Sequence, residues 1–473
     1  MDIITGKILK LDNWPDGKII GIAKDTGNKL IENGLERETV LTQLNAVRQN
    51  PGNFLTNPAF ADLARECIRT TQKDETPVDE LRDAPLPFPI WGEEYIDREA
   101  VSQMNNAMRL PVTVAGALMP DAHVGYGLPI GGVLATENTV IPYAVGVDIA
   151  CRMRLSIYEV SPYLLGQKKG LFEKALWDET AFGMGAKWTG NKRAQHEVLD
   201  DEAWFATRQL KTLKDTAMNQ LGTSGTGNHF VEWGSFELQE SMFGLEPGSY
   251  LALLSHSGSR GVGAKIADRF SKLAMEKHSD LDKSVKHLAW LNLDSEDGQE
   301  YWLSMELAGR FASANHYIIH KRVAAAVGLK EVAVVENHHN FAWNESLPDG
   351  RNVIVHRKGA TPAGEGVLGV IPGSMGDSGY VVRGKGEGNS LSSASHGAGR
   401  LMSRKAALNS ISKSARDTYL KENNVTLLGG GLDESPQAYK RIEQVIAAQN
   451  DLVDVIGKFT PRIVRMADEP GDI

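Results

Sequence analysis

Apolar and polar positions are laid out in two textures along this chain. Over the first 85 residues, short apolar runs are broken by charges. KILKLD (residues 7–12) and KIIGIA (18–23) read as two short strands joined by a turn at Asn13-Trp14-Pro15-Asp16-Gly17. From about Glu36 to Arg48, Val40, Leu41, Leu44 and Val47 fall on one face of a predicted helix. Asn57 with Pro58 supplies an N-cap and first turn for a second helix through Ala61, Leu63, Ala64 and Ile68. The segment Asp83-Ala84-Pro85-Leu86-Pro87-Phe88-Pro89 is stiff and extended. It divides an N-terminal extension, residues 1–85, from the remainder, residues 86–473.

From about residue 91 the texture changes. Short β-rich apolar runs end in polar loops that carry glycine. VIPYAVGVDIAC (140–151), LALLSHSGSRG (251–261), EVAVVENHHN (331–340) and NVIVHRKG (352–359) are examples. Longer helical stretches, 263–276 and 300–327, lie between them. The mixture predicts an α+β (mixed α/β) fold. No internal repeat at fixed period and no low-complexity tract occurs.

Composition narrows this picture. Across 473 residues, 41% are apolar and 23% charged, the balance of a globular protein. No apolar run approaches the ~20 residues that span a bilayer. The opening MDIITGKILKLDNWPDG has no signal-peptide core, so a cytoplasmic protein with no membrane association is expected. Two cysteines, Cys67 and Cys151, exclude a disulfide framework. The net charge of −9 argues against a surface coated in positive charge, though it permits a local basic groove.

Five segments place metal-type side chains at or just after apolar runs. They are Asp148-Ile-Ala-Cys151, Gly227-Asn228-His229-Phe230, Ser255-His256-Ser257-Gly258, Asn337-His338-His339-Asn340 and Ser395-His396-Gly397. Each histidine alone reads as an ordinary hydrogen-bonded side chain, and Cys151 alone as a small buried hydrophobe. The recurrence of the pattern shifts the balance towards a metal site. Cysteine, aspartate and several histidines form a mixed soft and hard donor set: softness favours zinc, and the carboxylate leaves room for manganese. No CxxC pair exists, so zinc-finger spacing is absent.

A second theme is anion binding. His256-Ser-Gly-Ser-Arg260-Gly261 combines backbone amides, hydroxyls and a guanidinium, and Pro372-Gly373-Ser374-Met375-Gly376 is a further small-residue loop. Ser395-His-Gly-Ala-Gly-Arg400 is expected to open a helix, with Arg400 and Arg404 one turn apart, an arrangement suited to phosphate. Read blandly, all three are ordinary turns. A Walker A loop does not occur. The GxGxxG spelled by Gly364 to Gly369 is followed by Pro372 and opens no helix.

Taken in order, the motifs resemble the RtcB family of RNA ligases from about Ile90 to Arg465. They are Met119-Pro-Asp-Ala-His-Val-Gly-Tyr-Gly127, VGVDIAC, LGTSGTGNHFVEW, HSGSRG, HHN, VHRKGA, IPGSMG, SHGAGRLMSR and DESPQAYK. The resemblance implies an RtcB-type fold with a central β-rich core around a dinuclear metal site. It implies two manganese ions, one on Cys151, His256 and His339, the other on Asp148, Cys151 and His229. It points to His396 as the residue that takes guanylate from GTP, with Asp121 at an acidic position near the centre. Guanylate contacts are implied for Asn228, Phe230, Glu232, Ser374, Ala398, Gly399 and Tyr439, and phosphate or RNA contacts for Arg260, Arg400 and Arg404. The implied substrates are RNA ends, a 3′-phosphate or 2′,3′-cyclic phosphate and a 5′-hydroxyl, with the chain a monomer or homodimer.

The chain departs from the family pattern in places. Arg152 stands where glycine usually follows the site cysteine, and it is expected either to bind phosphate or to turn outward. Gly379 stands where serine is common. The tail Ile463-Val-Arg-Met-Ala-Asp468 lacks the family's guanine-contacting lysine, for which Arg465 is the neighbouring candidate. Lys187, Lys192 and Arg193 form a basic loop that reads either as an RNA contact or as a solvated surface. The extension and altered tail favour RNA repair, of damaged tRNA or rRNA, over general tRNA splicing. A metal-dependent RNA 3′-end phosphatase and a non-ligating RNA-binding paralogue are the alternatives of other classes. Residues 1–85 read as a recognition or oligomerisation module, or as a structural cap.

Overall fold

A computed structural model describes residues 4–15, 17–55, 57–71 and 79–468. The chain divides into two compact units, Met1–Asp79 and Glu80–Ile473. The division falls ahead of the proline-rich segment. That segment belongs to the larger unit: Leu86 N–H donates to the Met108 carbonyl at 3.2 Å, and Leu86, Phe88 and Ile90 pack on its largest apolar cluster.

The smaller unit is helical. KILKLD and KIIGIA are not strands: they open the helices Gly6–Leu11 and Lys18–Glu32. Ile19, Ala23 and Gly27 are buried at a spacing of four, a helical period that outruns a six-residue strand window. Asp16, within the expected turn, lies outside the described residues. The helix Arg37–Gln49 buries Val40, Leu44 and Val47. The last helix, Ala61–Thr71, starts three residues later than Pro58. Asn57 caps the preceding turn, its side chain accepting from Ala59 N–H at 3.0 Å.

The larger unit is α+β. Its main sheet has the order Leu368–Ile371, Gly379–Gly384, Val453–Met466, Phe230–Leu238, Gly248–Ser257, Arg152–Tyr158 and Ala333–His338, with Thr426–Leu428 paired beside Val453–Met466. Every pairing is antiparallel except that last one. The sheet nearly closes on itself. Asn337, on one edge strand, accepts from Val370 N–H at 2.8 Å on the other. A second sheet runs Thr113–His123, Ile130–Thr136, Asn352–Lys358, Asn340–Ser346.

The long helix Glu296–Ala326 covers the back of the main sheet, Arg260–Lys277 packs against that helix, and together they build the largest apolar cluster with Phe270, Tyr301 and Phe311. On the Arg152–Tyr158 strand, Met153, Leu155 and Ile157 face one core, while Arg152, Arg154 and Ser156 face the long helix. No helix among the described residues is long and apolar enough to cross a membrane.

Candidate active site

The front of the main sheet gathers its chemistry where four chain segments meet. The run VIPYAVGVDIAC is not one strand. Thr139–Val140 is a short strand, Pro142–Val145 a helical turn, and Asp148 to Cys151 a tight turn closed by Cys151 N–H on the Asp148 carbonyl at 3.1 Å. Ala150 takes a left-handed φ of 56°, a conformation costing about 1–2 kcal/mol for a residue with a Cβ. Its N–H donates to the Asn340 carbonyl at 2.7 Å, which fixes the turn. Cys151 then enters the strand Arg152–Tyr158. His229 precedes its strand, His256 sits near the end of another, and His339 links Ala333–His338 to Asn340–Ser346.

These side chains converge. Cys151 Sγ lies 3.1 Å from His256 Nε2 and 3.4 Å from His229 Nε2, and the ligand atoms of the three lie within 4.8 Å of one another. His339 Nε2 is 3.2 Å from His256 Nε2, and Asp148 Oδ2 is 2.9 Å from His229 Nε2. His256 Nδ1 faces the Asn228 carbonyl at 2.9 Å, so the proton belongs on Nδ1 and Nε2 presents its lone pair inward. Burial holds His256 neutral, down to about 3, and pushes His339 well below its ordinary value. Lone pairs of neutral imidazoles and a thiol aimed at one point repel each other until a cation occupies it. His339 Nδ1 and His229 Nδ1 are buried without a hydrogen-bond partner among the described residues, so further polar groups are held here at a cost.

The thiol and carboxylate answer to the same logic. Burial, reinforced by the Asp148 charge, pushes the Cys151 thiol well above its usual value. A bound divalent cation reverses this by stabilising the thiolate. Burial opposes the charge of Asp148, but hydrogen bonds with His229 and Cys151 and the Arg260 charge leave its carboxyl below the usual range. The donor set fits divalent cations.

His396 stands next to this cluster, its ring centroid 4.8 Å from that of His339. It follows the short strand Ser393–Ser395 and does not sit at a helix start. The expected helix begins only at Arg404, capped by the Ser403 hydroxyl accepting from Ala406 N–H at 3.2 Å. Gly399, at φ +74°, keeps the intervening chain out of helix: a Cβ there would overlap the Asp121 carbonyl. Arg400 and Arg404 are therefore not one helical turn apart.

Asp121, fully buried, binds His396 through one oxygen. Oδ2 accepts from His396 Nδ1 at 2.6 Å and from the backbone N–H of His396 at 3.1 Å and Gly397 at 3.4 Å. Burial disfavours the Asp121 charge, yet the His396 hydrogen bond and the charges of His396, Lys440 and His123 hold its carboxyl below the ordinary value. Lys440, itself buried, donates to the carbonyls of Pro120 at 3.0 Å and Ala122 at 2.7 Å on either side of Asp121. The carboxylate fixes the Nδ1–H tautomer, so His396 Nε2 carries the free lone pair.

The remaining expected residues surround this centre unevenly. Phe230 packs on His256 with centroids 5.6 Å apart. Glu232, on the same strand face, is buried, and burial raises its carboxyl well above the usual range. The Pro372–Ser374 loop abuts Gly397, and Ser374 bonds Asp377. Ala398 is buried beside Gly399. Arg400 lies over the Tyr439 ring at 5.1 Å and binds Glu434 at 3.0 Å, and Tyr439 also bonds Glu434. Arg404 pairs with Glu434 at 2.9 Å and Asp433 at 3.2 Å while abutting Gly227. Arg260 is turned into the protein, on Thr223 Oγ1 at 3.2 Å and the Gly183 carbonyl at 2.6 Å.

Two expectations fail. Arg152 neither points to the metal-ligand cluster nor turns outward. It is buried behind the sheet, with Nε 3.2 Å from Glu336, one guanidinium nitrogen on the Gly309 carbonyl and another 3.2 Å from His338 Nδ1. Arg465 does not replace the missing lysine. It pairs across the sheet with Val231, on the face opposite Phe230 and Glu232, stacks on Trp177 and bonds Asp468 at 3.0 Å. Asp433, Glu434 and Lys440 were not singled out from sequence. Only their place inside the ordered motifs marked them.

Comparison with known proteins agrees with this geometry. The family model described as "tRNA-splicing ligase RtcB" matches residues 103–467. The chain belongs to the RtcB family. The RNA-splicing ligase RtcB of Escherichia coli K12 is 32% identical over 406 residues, covering 78% of this chain and 95% of that protein. The tRNA-splicing ligase RtcB of Nanoarchaeum equitans is 32% identical over 439 residues, 77% and 91%. The RNA-splicing ligase RtcB of Mycobacterium tuberculosis H37Rv is 31% identical over 430 residues, 76% and 98%. The chain is thus an enzyme of an RNA ligase family, and its first hundred or so residues lie outside the family match.

Proposed function

We propose that this RtcB-family enzyme joins an RNA 3′-phosphate or 2′,3′-cyclic phosphate end to a 5′-hydroxyl end through a guanylate carried on His396. The observation that carries the reading is the Asp121–His396 pair set against the Cys151, His229, His256 and His339 cluster. Cys151, His256 and His339 would hold one manganese ion and Asp148, Cys151 and His229 a second. Such ions supply charge neutralisation for phosphate oxygens and for the departing pyrophosphate.

The chain's own groups do the rest. Asp121 keeps the proton on Nδ1 of His396, leaving Nε2 to attack the α-phosphorus of GTP. The N–P bond forms as the bond to pyrophosphate breaks, and Asp121 stabilises the positive charge that develops on the imidazole. At a 2′,3′-cyclic end, water first adds to phosphorus and the bond to O2′ breaks, giving the 3′-phosphate and a 2′-hydroxyl; guanylate then moves from Nε2 to the RNA 3′-phosphate, freeing the imidazole. The 5′-hydroxyl oxygen displaces GMP to give the phosphodiester. Phe230, Glu232, Ser374, Ala398, Gly399, Tyr439 and Asn228 would form the guanylate seat, a reading supported by Phe230 packing on His256 and by the Pro372–Ser374 loop abutting Gly397. Arg400 and Arg404, partly neutralised by Glu434 and Asp433, would contact phosphates of GTP or RNA.

Repair of broken tRNA or rRNA is the preferred role, supported by the extension outside the family match and by Arg465 facing away from the guanylate seat. General tRNA splicing by the same chemistry is the second reading. The test supplies 3′-phosphate or cyclic-phosphate RNA and 5′-hydroxyl RNA with GTP and manganese. Joined product that requires GTP is expected. Phosphate release from 3′-ends without GTP, and no joining, would make the protein a phosphatase instead.

A further inference from the structure

The buried face of the helix Glu296–Ala326 carries a short polar stretch behind the main sheet. Asn315 and His316 are fully buried there, with His320 one turn further on. Asparagine is a poor helix former, and burying its amide is costly unless each polar atom finds a partner. Here each does. Asn315 Oδ1 accepts from the backbone N–H of Gly222 at 2.7 Å and of Thr223 at 3.1 Å. Its Nδ2 donates to the Thr223 carbonyl at 2.8 Å, to Ser257 Oγ at 3.3 Å and to the Gly258 carbonyl at 3.4 Å. One side chain thus ties two separate chain segments together from behind.

Both segments lead to proposed metal ligands. The chain runs on from Thr223 to His229, and Gly225 lies so close to that ring that a Cβ would overlap His229 Nδ1. Ser257 and Gly258 follow His256, and a Cβ on Gly258 would overlap the Asp148 carboxylate. A shift of either segment is therefore passed directly to a ligand. His316 braces the same strand end. Its Nε2–H donates to the Ser257 carbonyl at 3.1 Å, so its Nδ1 accepts from the Ser255 hydroxyl at 2.6 Å, and that oxygen accepts from His320 Nε2–H at 2.7 Å. Burial pushes both rings well below their ordinary value, which suits these one-proton assignments. A buried polar network with its partners in place holds its members in one geometry.

We propose that Asn315 is a positioning residue of the metal centre. By locking Gly222 and Thr223 to Ser257 and Gly258, it sets His229 and Asp148 relative to His256, and with them the ability of the site to hold two manganese ions at once. The inference rests on the two-ion reading of the site. The ion assigned to Asp148, Cys151 and His229 depends on Asn315 most, because Gly225 and Gly258 press on two of its ligands. The other ion keeps Cys151 and His339, which come from other segments.

Manganese is titrated into the full chain stripped of metal, followed by calorimetry and by electron paramagnetic resonance. Wild type, N315A and N315D are compared. N315D keeps an acceptor for Gly222 and Thr223 but cannot donate to the Thr223 and Gly258 carbonyls. N315A removes both halves of the clamp and is the variant to read if the buried charge of N315D prevents folding. Losing a group that orients metal ligands costs about 10–100-fold in metal affinity. Wild type is expected to take two ions with the exchange-coupled spectrum of a pair sharing a ligand. The variants should hold one ion and bind the second that much more weakly, without the coupled spectrum. Phe311→Leu loosens the same helix where it packs on Trp204 and serves as the control for a purely structural role. It should lower the thermal midpoint and keep both ions. Second-ion affinity within about twofold of wild type in N315A, or the same loss of the second ion in Phe311→Leu, overturns the proposal. Wild type that takes fewer than two ions defeats the two-ion reading itself, so the two failures are distinct.

Discussion

The chemistry at His396 turns on one oxygen. Asp121 Oδ2 takes three donors, the Nδ1–H of His396 and two backbone amides, and so sets both the tautomer and the direction of the ring. Asp121→Asn keeps the size of the side chain but can offer its amide to Nδ1 and trap the other tautomer. We expect it to slow guanylate attachment by at least ~100-fold, the scale of loss when a triad aspartate is made asparagine being up to ~10⁴. Single-turnover labelling with GTP measures this, and a loss under about fivefold would remove Asp121 from the mechanism. At this scale the sequence was informative for Cys151, His229, His256 and His339, because each lies in a short motif and the structure brings all four together. It was silent on Lys440, whose interest comes from burial and fixed partners, properties that no local pattern displays.

Among elements, the antiparallel sheet and the long helix Glu296–Ala326 carry the site from behind. Glu336, on the strand that ends in His338, and Glu331, just before it, form an ion-pair ladder with Arg154 and Arg152 on the strand that begins after Cys151. Glu336 pairs with Arg154 at 2.8 Å and is the carboxylate beside Arg152. Glu336→Gln leaves the Arg152 guanidinium buried and uncompensated. About 3–5 kcal/mol of stability should go, read as a lower denaturant midpoint at unchanged slope. A midpoint equal to wild type would mean that the ladder is solvated. The apolar pattern found the two long helices and the strands Gly248–Ser257, Ala333–His338 and Asn352–Lys358. It failed where runs were short. KILKLD and KIIGIA show too few residues to separate period two from period 3.6, and the spacing of Ile19, Ala23 and Gly27 becomes visible only once tertiary packing buries them. The loop before Arg404 failed for another reason: glycine at a left-handed φ, needed for the approach to Asp121, ends what composition suggested was a helix.

For the whole molecule, the larger unit holds every residue of the proposed centre and its own apolar clusters. The helical unit Met1–Asp79 has a separate core built on Leu9, Val40, Leu44 and Leu63. A chain beginning at Glu80 should therefore fold and attach guanylate to His396 at a rate within about twofold of the full chain, while losing ligation on some structured RNAs and not others. Comparing both chains across a panel of nicked RNAs reads this. Equal ligation on every RNA would remove a recognition role from the first 79 residues.

The central claim is that His396 carries guanylate. Incubation of the full chain with α-labelled GTP and manganese, followed by denaturing separation and mapping of the labelled peptide, tests it most directly. The account predicts a label bound to His396 that is acid-labile as a phosphoramidate, dependent on the metal and absent from His396→Ala. A label that persists undiminished in His396→Ala, or no label on the wild-type protein, would contradict it.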